Sequence, residues 1–138
     1  RTVEQDGDAA LELAGLRDRY VAQALALLHR DIARSWTVDE ISRAVGLSRS
    51  ALGERFTRLI GVAPMHYLAN WRMQVAAQQL RNSSASLAEV AEAVGYESEA
   101  AFSRAFKKAF RTAPATWRRS RKQTAEVRKQ IARIGKSS

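Results

Sequence analysis

Ser86-Leu87-Ala88-Glu89-Val90-Ala91-Glu92-Ala93-Val94-Gly95-Tyr96-Glu97-Ser98-Glu99-Ala100-Ala101-Phe102-Ser103-Arg104-Ala105-Phe106-Lys107 is the stretch whose reading decides the fold. Ser86 followed three residues later by Glu89 is a capping box, in which each side chain satisfies a free backbone amide at a helix start. Gly95 is placed to end that short helix, since glycine takes the left-handed conformation without steric cost. Ser98 resembles an N-cap for the next helix, and Phe102 and Phe106 share one face of it. Two short helices joined by a tight turn containing glycine describe a helix-turn-helix.

The same pattern stands earlier in the chain. Thr37-Val38-Asp39-Glu40 reads as another capping box, Ala44-Val45-Gly46 matches Ala93-Val94-Gly95, and Ser48 matches Ser98. Leu52 and Phe56 stand where Phe102 and Phe106 stand later, Ala63-Pro64 repeats as Ala113-Pro114, and Tyr67 corresponds to Trp117. The offset grows from 49 to 50 residues between Gly95 and Phe102, so the second turn is one residue longer. An internal repeat of this detail means two copies of one helical unit. Ile41, Val45, Leu52 and Phe56 are the expected core of the first, and Val90, Val94, Phe102 and Phe106 that of the second.

Between and around the units the signals remain helical. Pro64 suits the first turn of a helix reaching Leu80, where Asn82 to Ser84 make a polar break. Leu68, Trp71, Arg72, Val75 and Leu80 read as packing and positioning residues of that joining helix. Upstream, Tyr20, Val21, Ala24, Leu25, Leu27, Leu28 and Ile32 recur at helical spacing. The expected fold class is all-α. Residues 1–17 are expected as a remnant or linker, with a folded domain over 18–119. Within it, helix-turn-helix units fall at about 38–60 and 87–110, joined by a linker helix over about 64–80. Residues 120–138 form a basic tail, in which Val127, Ile131 and Ile134 make a narrow apolar stripe. So narrow a stripe predicts a frayed, mobile tail in preference to an ordered amphipathic helix.

Composition narrows the chemistry. The 138 residues contain no Cys and two separated histidines, His29 and His66, so neither a thiolate nor a conventional zinc site is expected. With no clustered His and carboxylates and no glycine-rich phosphate loop, no catalytic residues, metal or cofactor are expected. No signal-peptide pattern or membrane-length apolar run is evident, which reads as a soluble cytoplasmic chain without a membrane partner. Charge is unevenly placed: residues 1–40 hold 5 basic and 8 acidic groups, whereas residues 41–138 hold 18 and 6. A basic region beside an acidic one is the footprint of a polyanion binder, although solubility alone also explains surface charge.

Double-stranded DNA is the partner that fits both charge and motif. The major groove accepts one helix, whose N-terminal half meets base edges. On the second helix of each unit, the positions facing away from the core are Arg49, Ser50, Gly53, Glu54 and Arg55, then Glu99, Ala100, Ser103 and Arg104, followed by Lys107 and Lys108. Small residues there allow close approach, and Arg104 can make paired hydrogen bonds to guanine. Glu54 has a blander reading as a partner of Arg58, four residues on. Helix starts at Thr37, Ser48, Ser86 and Ser98 are suited to phosphate contacts.

These residues resemble the AraC/XylS family of transcription regulators. The carriers are Trp36 through Glu40, Val45 through Leu52, Tyr67-Leu68 with Trp71-Arg72-Met73, and above all Val90-Ala91 through Lys107, closing at Ala113-Pro114 and Trp117-Arg118. The resemblance covers about residues 18 to 119. It implies a domain of about seven helices, asymmetric promoter sites, and contact with RNA polymerase during activation. Ala24 through His29 is similar to members with an N-terminal cupin-type effector domain, so any effector ligand is expected on a domain missing from this chain. Two residues depart from the pattern: Gly53, costly inside a helix by about 1 kcal/mol relative to Ala, and the acidic Glu54. A protein-binding module and a non-specific nucleic-acid binder are the competing readings. Salt-dependent binding and competition by random DNA separate them.

Overall fold

The computed structural model describes residues 3–136. These residues form eight helices and no strand: α1 (Val3–Arg17), α2 (Arg19–Arg30), α3 (Val38–Val45), α4 (Arg49–Ile60), α5 (Pro64–Asn82), α6 (Leu87–Ala93), α7 (Glu99–Phe110) and α8 (Pro114–Lys136). The architecture is all-α, with one helix more than the family resemblance implied.

Local chemistry sets most helix ends. Asp18 accepts from the amides of Tyr20 and Val21 to start α2, and Ser48 and Ser98 accept from Ala51 and Ala101 to start α4 and α7. Gly46 takes a φ of 82° and returns its amide to the Ser42 and Arg43 carbonyls, which ends α3. Ser86 and Glu89 form the complete reciprocal box. The first box is only half made, contrary to expectation. The Thr37 hydroxyl accepts from the Glu40 amide, but the Glu40 carboxylate is drawn to Arg34 at 2.8 Å and to the Thr37 hydroxyl. The Arg34 guanidinium is the main partner of that carboxylate, and the Thr37 amide only a minor one.

Two apolar cores result, and α5 belongs to both. The first gathers Val21, Ala24, Leu25 and Leu28 of α2 with Trp36, Ile41, Val45, Leu52, Phe56 and Leu68. The second gathers Met73, Ala76, Ala77 and Leu80 with Val90, Ala91, Val94, Phe102 and Phe106. All eight core positions expected from the repeat are buried. A fully buried side chain of this size contributes about 1.5–3 kcal/mol, so these residues hold the fold and carry no further chemistry.

The start of α8 serves the second unit as the start of α5 serves the first. Pro114 is buried, Trp117 packs on Phe106 and Phe110, and Arg118 Nε donates to the Leu80 carbonyl at 2.9 Å. The helix then continues to Lys136 where a frayed tail was expected. Between Ala115 and Ile134 the sequence offers no Gly or Pro to stop it and many good helix formers, so local propensity outweighs the missing apolar face. Val127, Ile131 and Ile134 stay exposed along it.

Residues 3–17, expected as a remnant or linker, form a helix that packs on α2 and α5. Gly7 admits the close approach: a Cβ there would lie 2.8 Å from the Trp71 ring and 3.3 Å from His29. His29 stacks on Trp71 with centroids 4.5 Å apart and shares a hydrogen bond with the Tyr67 hydroxyl. Burial pushes the His29 pKa below its ordinary 6.5, with Asp8 pulling weakly the other way. The unfolded chain therefore binds this proton more readily than the folded one. Its contribution to stability is full above about 6.5 and is lost as pH falls toward and through the folded value. Urea midpoints should drop between pH 7 and pH 5, and His29→Phe, which keeps the stack, should flatten that drop. An unchanged slope would place the titration elsewhere.

Candidate nucleic-acid interface

α4 and α7 are the second helices of the two units, and each buries one face through a pair of residues four apart. Leu52 and Phe56 are buried in α4, and Phe102 and Phe106 in α7. On the other side of α4 stand Ser50 and Glu54, exposed, with Gly53 half-buried. A Cβ at Gly53 would meet nothing within 4 Å, so core packing does not require glycine there. On α7, Glu99, Ala100, Arg104, Lys107 and Lys108 are exposed and Ser103 is half-buried.

The expected contact residues differ in how free they are. Arg104, Lys107 and Lys108 enter no ion pair among the described residues. Arg49 is exposed but leans on Asp39, its Nε 3.2 Å from the carboxylate. Arg55 departs from expectation. Its guanidinium donates to Asp18 at 3.1 Å and lies over the Tyr20 ring, which turns it toward α2 and away from the Ser50 and Glu54 side. The helical period explains this, because Arg55 lies three residues after the core residue Leu52, on the flank of α4 that meets the cap of the neighbouring helix. Glu54 makes no ion pair with Arg58 among the described residues.

The four capping hydroxyls are all engaged as acceptors, at Thr37, Ser48, Ser86 and Ser98. Each carries out a structural task at a helix start, satisfying one of the first-turn amides.

Sequence reasoning named Arg72 as a positioning residue but missed its partners and the joint they make between the units. Arg72, midway along α5, donates from Nε to the Ile32 carbonyl at 3.0 Å and from Nη2 to the Arg34 carbonyl at 2.8 Å. Burial holds its pKa below the ordinary value, opposed by the nearby Tyr96. Gly95, in the turn of the second unit, presses on the same loop. At its φ of 91°, a Cβ would lie 3.0 Å from the Ala33 Cα and carbonyl oxygen and 3.0 Å from Arg72 Nη2. Ile32 packs against both cores. Long-range bonds across some 40 residues leave no local mark, although an arginine on the inner face of α5 was a signal in plain view.

Two helix-turn-helix units, joined through one shared helix, define a double-headed domain whose second helices, α4 and α7, each carry an exposed face. A family model described as a helix-turn-helix domain matches residues 41–120. The chain belongs to that family, in its AraC-type branch. It is similar to an AraC-like transcription regulator of Streptomyces antibioticus, 50% identical over 107 residues, covering 78% of this chain and 35% of the relative. It is also similar to the HTH-type transcriptional regulator AlkR of Acinetobacter baylyi, 33% identical over 84% of this chain and 38% of that protein. This chain thus spans little more than a third of the length of these curated relatives. Among solved structures, an AraC-type regulator from Chromobacterium violaceum aligns with a TM-score of 0.70 and 29% identity, over 78% of this chain and 96% of that one. The DNA-binding domain of AdpA, solved with a target DNA, aligns at 0.69 and 27% identity, over 72% and 90%.

Proposed function

We propose that this chain is a sequence-specific DNA-binding domain of a transcription regulator, reading one asymmetric site with both units at once. The observation that supports this most is the joint. Arg72 and Gly95 fix two reading helices in one chain, so a single molecule can present them to successive major grooves, about 34 Å apart. The solved complex of the AdpA domain with its target DNA gives the precedent for duplex as the ligand. Contact with RNA polymerase, an effector bound outside this chain and action in the cytoplasm belong to the proposed role of the whole regulator. Reading falls to Ser50, Gly53 and Glu54 with Arg49 at the helix start, and to Glu99, Ala100, Ser103 and Arg104. Phosphate contact falls to Lys107, Lys108 and the helix starts.

The test begins with fragments selected from random DNA and footprinted. One chain per site, without two-fold symmetry, is expected; a strict palindrome with one chain per half would overturn it. Arg104→Ala should then cost about 1–3 kcal/mol of affinity, concentrated at one base pair of the selected site. Equal weakening on every sequence would demote Arg104 to a backbone contact.

A further inference from the structure

Arg111 stands at the C-cap of α7 in the left-handed conformation, with φ 60° and ψ 18°. It is the one residue other than glycine with positive φ among the described residues. A side chain with a Cβ is disfavoured there, and such positions gather where function requires them. The repeat supplies an internal comparison. The matching residue of the first unit, fifty positions earlier, is Gly61, which takes φ 98° at the end of α4 without that penalty.

The surroundings say what the arginine is for. Arg104, Lys107, Lys108 and Arg111 border an open crevice of about 830 Å³ at the end of α7, with no carboxylate among the described residues that line it. None of the four enters an ion pair among the described residues. At the same places in the first unit stand Glu54, Thr57, Arg58 and Gly61, one acid and one base. Four like charges gathered with no ion-pair partner among the described residues repel one another, and a polyanion relieves that repulsion.

We propose that Lys107, Lys108 and Arg111 form one phosphate-holding crevice for the DNA backbone beside the second reading helix, with Arg111 as its outer wall and Arg104 at the rim that faces the bases. The inference rests on the DNA-binding reading above and adds that the sequence-independent grip is concentrated in the second unit. Arg111 carries no base-reading task in this arrangement, because it lies past the end of the reading helix.

Arg111→Gly tests it, because glycine suits the backbone and leaves the fold intact. The variant should melt at the same temperature or higher. One phosphate contact fewer changes the slope of log affinity against log salt by about 0.9, which corresponds to a loss of about five- to tenfold at 0.1 M salt. The loss should be equal on the selected site and on scrambled duplex, and Arg111→Lys should restore most of it. An unchanged slope would overturn the crevice, as would a loss confined to one base pair, which would make Arg111 a reader. A wild-type chain that binds no duplex would overturn the DNA-binding reading itself and this inference with it.

Discussion

Gly95→Ala is expected to cost about 2–4 kcal/mol of folding stability, against about 1–2 kcal/mol for Gly46→Ala. The two glycines occupy the same turn in the two units and have nearly the same backbone, φ 91° and φ 82°. Each substitution forces a Cβ into the left-handed region. At Gly46 that is the whole cost, since a Cβ meets nothing within 4 Å. At Gly95 the new methyl also meets the Ala33 backbone and the Arg72 guanidinium at 3.0 Å, and backbone yields poorly. Urea unfolding of both variants measures the difference. Equal costs would mean that the Ile32–Arg34 loop gives way freely and that the joint between the units is loose. With the joint as tight as described, Gly95→Ala should also weaken binding to the full site more than binding to a half-site, because it pushes the units apart.

Arg72→Ala should be about as damaging, at about 2–4 kcal/mol, by a different route. A hydrogen bond from a charged donor contributes about 1.5–3 kcal/mol, and Arg72 makes two. The bond to Ile32 is half-buried and the one to Arg34 faces solvent, so the second counts for less than the first. Arg72→Lys should rescue little, because one ammonium cannot reproduce two donors spread along a planar fork. The discriminating measurement is a pair of affinities, on the intact site and on a site with one groove scrambled. Loss on the intact site alone identifies Arg72 as the residue that positions one unit against the other. Equal loss on both would make it a stabiliser of the fold and nothing more.

What was legible in the sequence follows from how far each feature reaches. Capping residues, left-handed glycines and the four-residue spacing of Leu52–Phe56 and Phe102–Phe106 act within a turn or two, and they located α3, α4, α6 and α7. The repeat supplied the second core from the first. Features made by distant residues were not legible. Arg55 was assigned to the reading face by position alone, and only the fold brings Asp18 within its reach. Glu40 was assigned to the Thr37 amide, whereas Arg34 is its main partner. The tail was judged by its apolar stripe, whereas uninterrupted helix formers carry α8 to Lys136 without one. Arg111 went unnoticed because its backbone angle is invisible in a sequence, although the alignment of the two units already set an arginine against Gly61.

The double membership of α5 bears on how such a chain can grow. Its first half, from Pro64 to Leu68, completes the core of one unit, and its second half, from Met73 to Leu80, founds the core of the next. A genetic duplication that runs from the middle of one helix to the middle of the next therefore inserts a self-contained cassette. Each copy arrives with half of the scaffold it needs and finds the other half already in place, so no new interface has to be invented at the moment of copying. Early α8, with Pro114 and Trp117, already plays the closing part that early α5 plays with Pro64 and Tyr67.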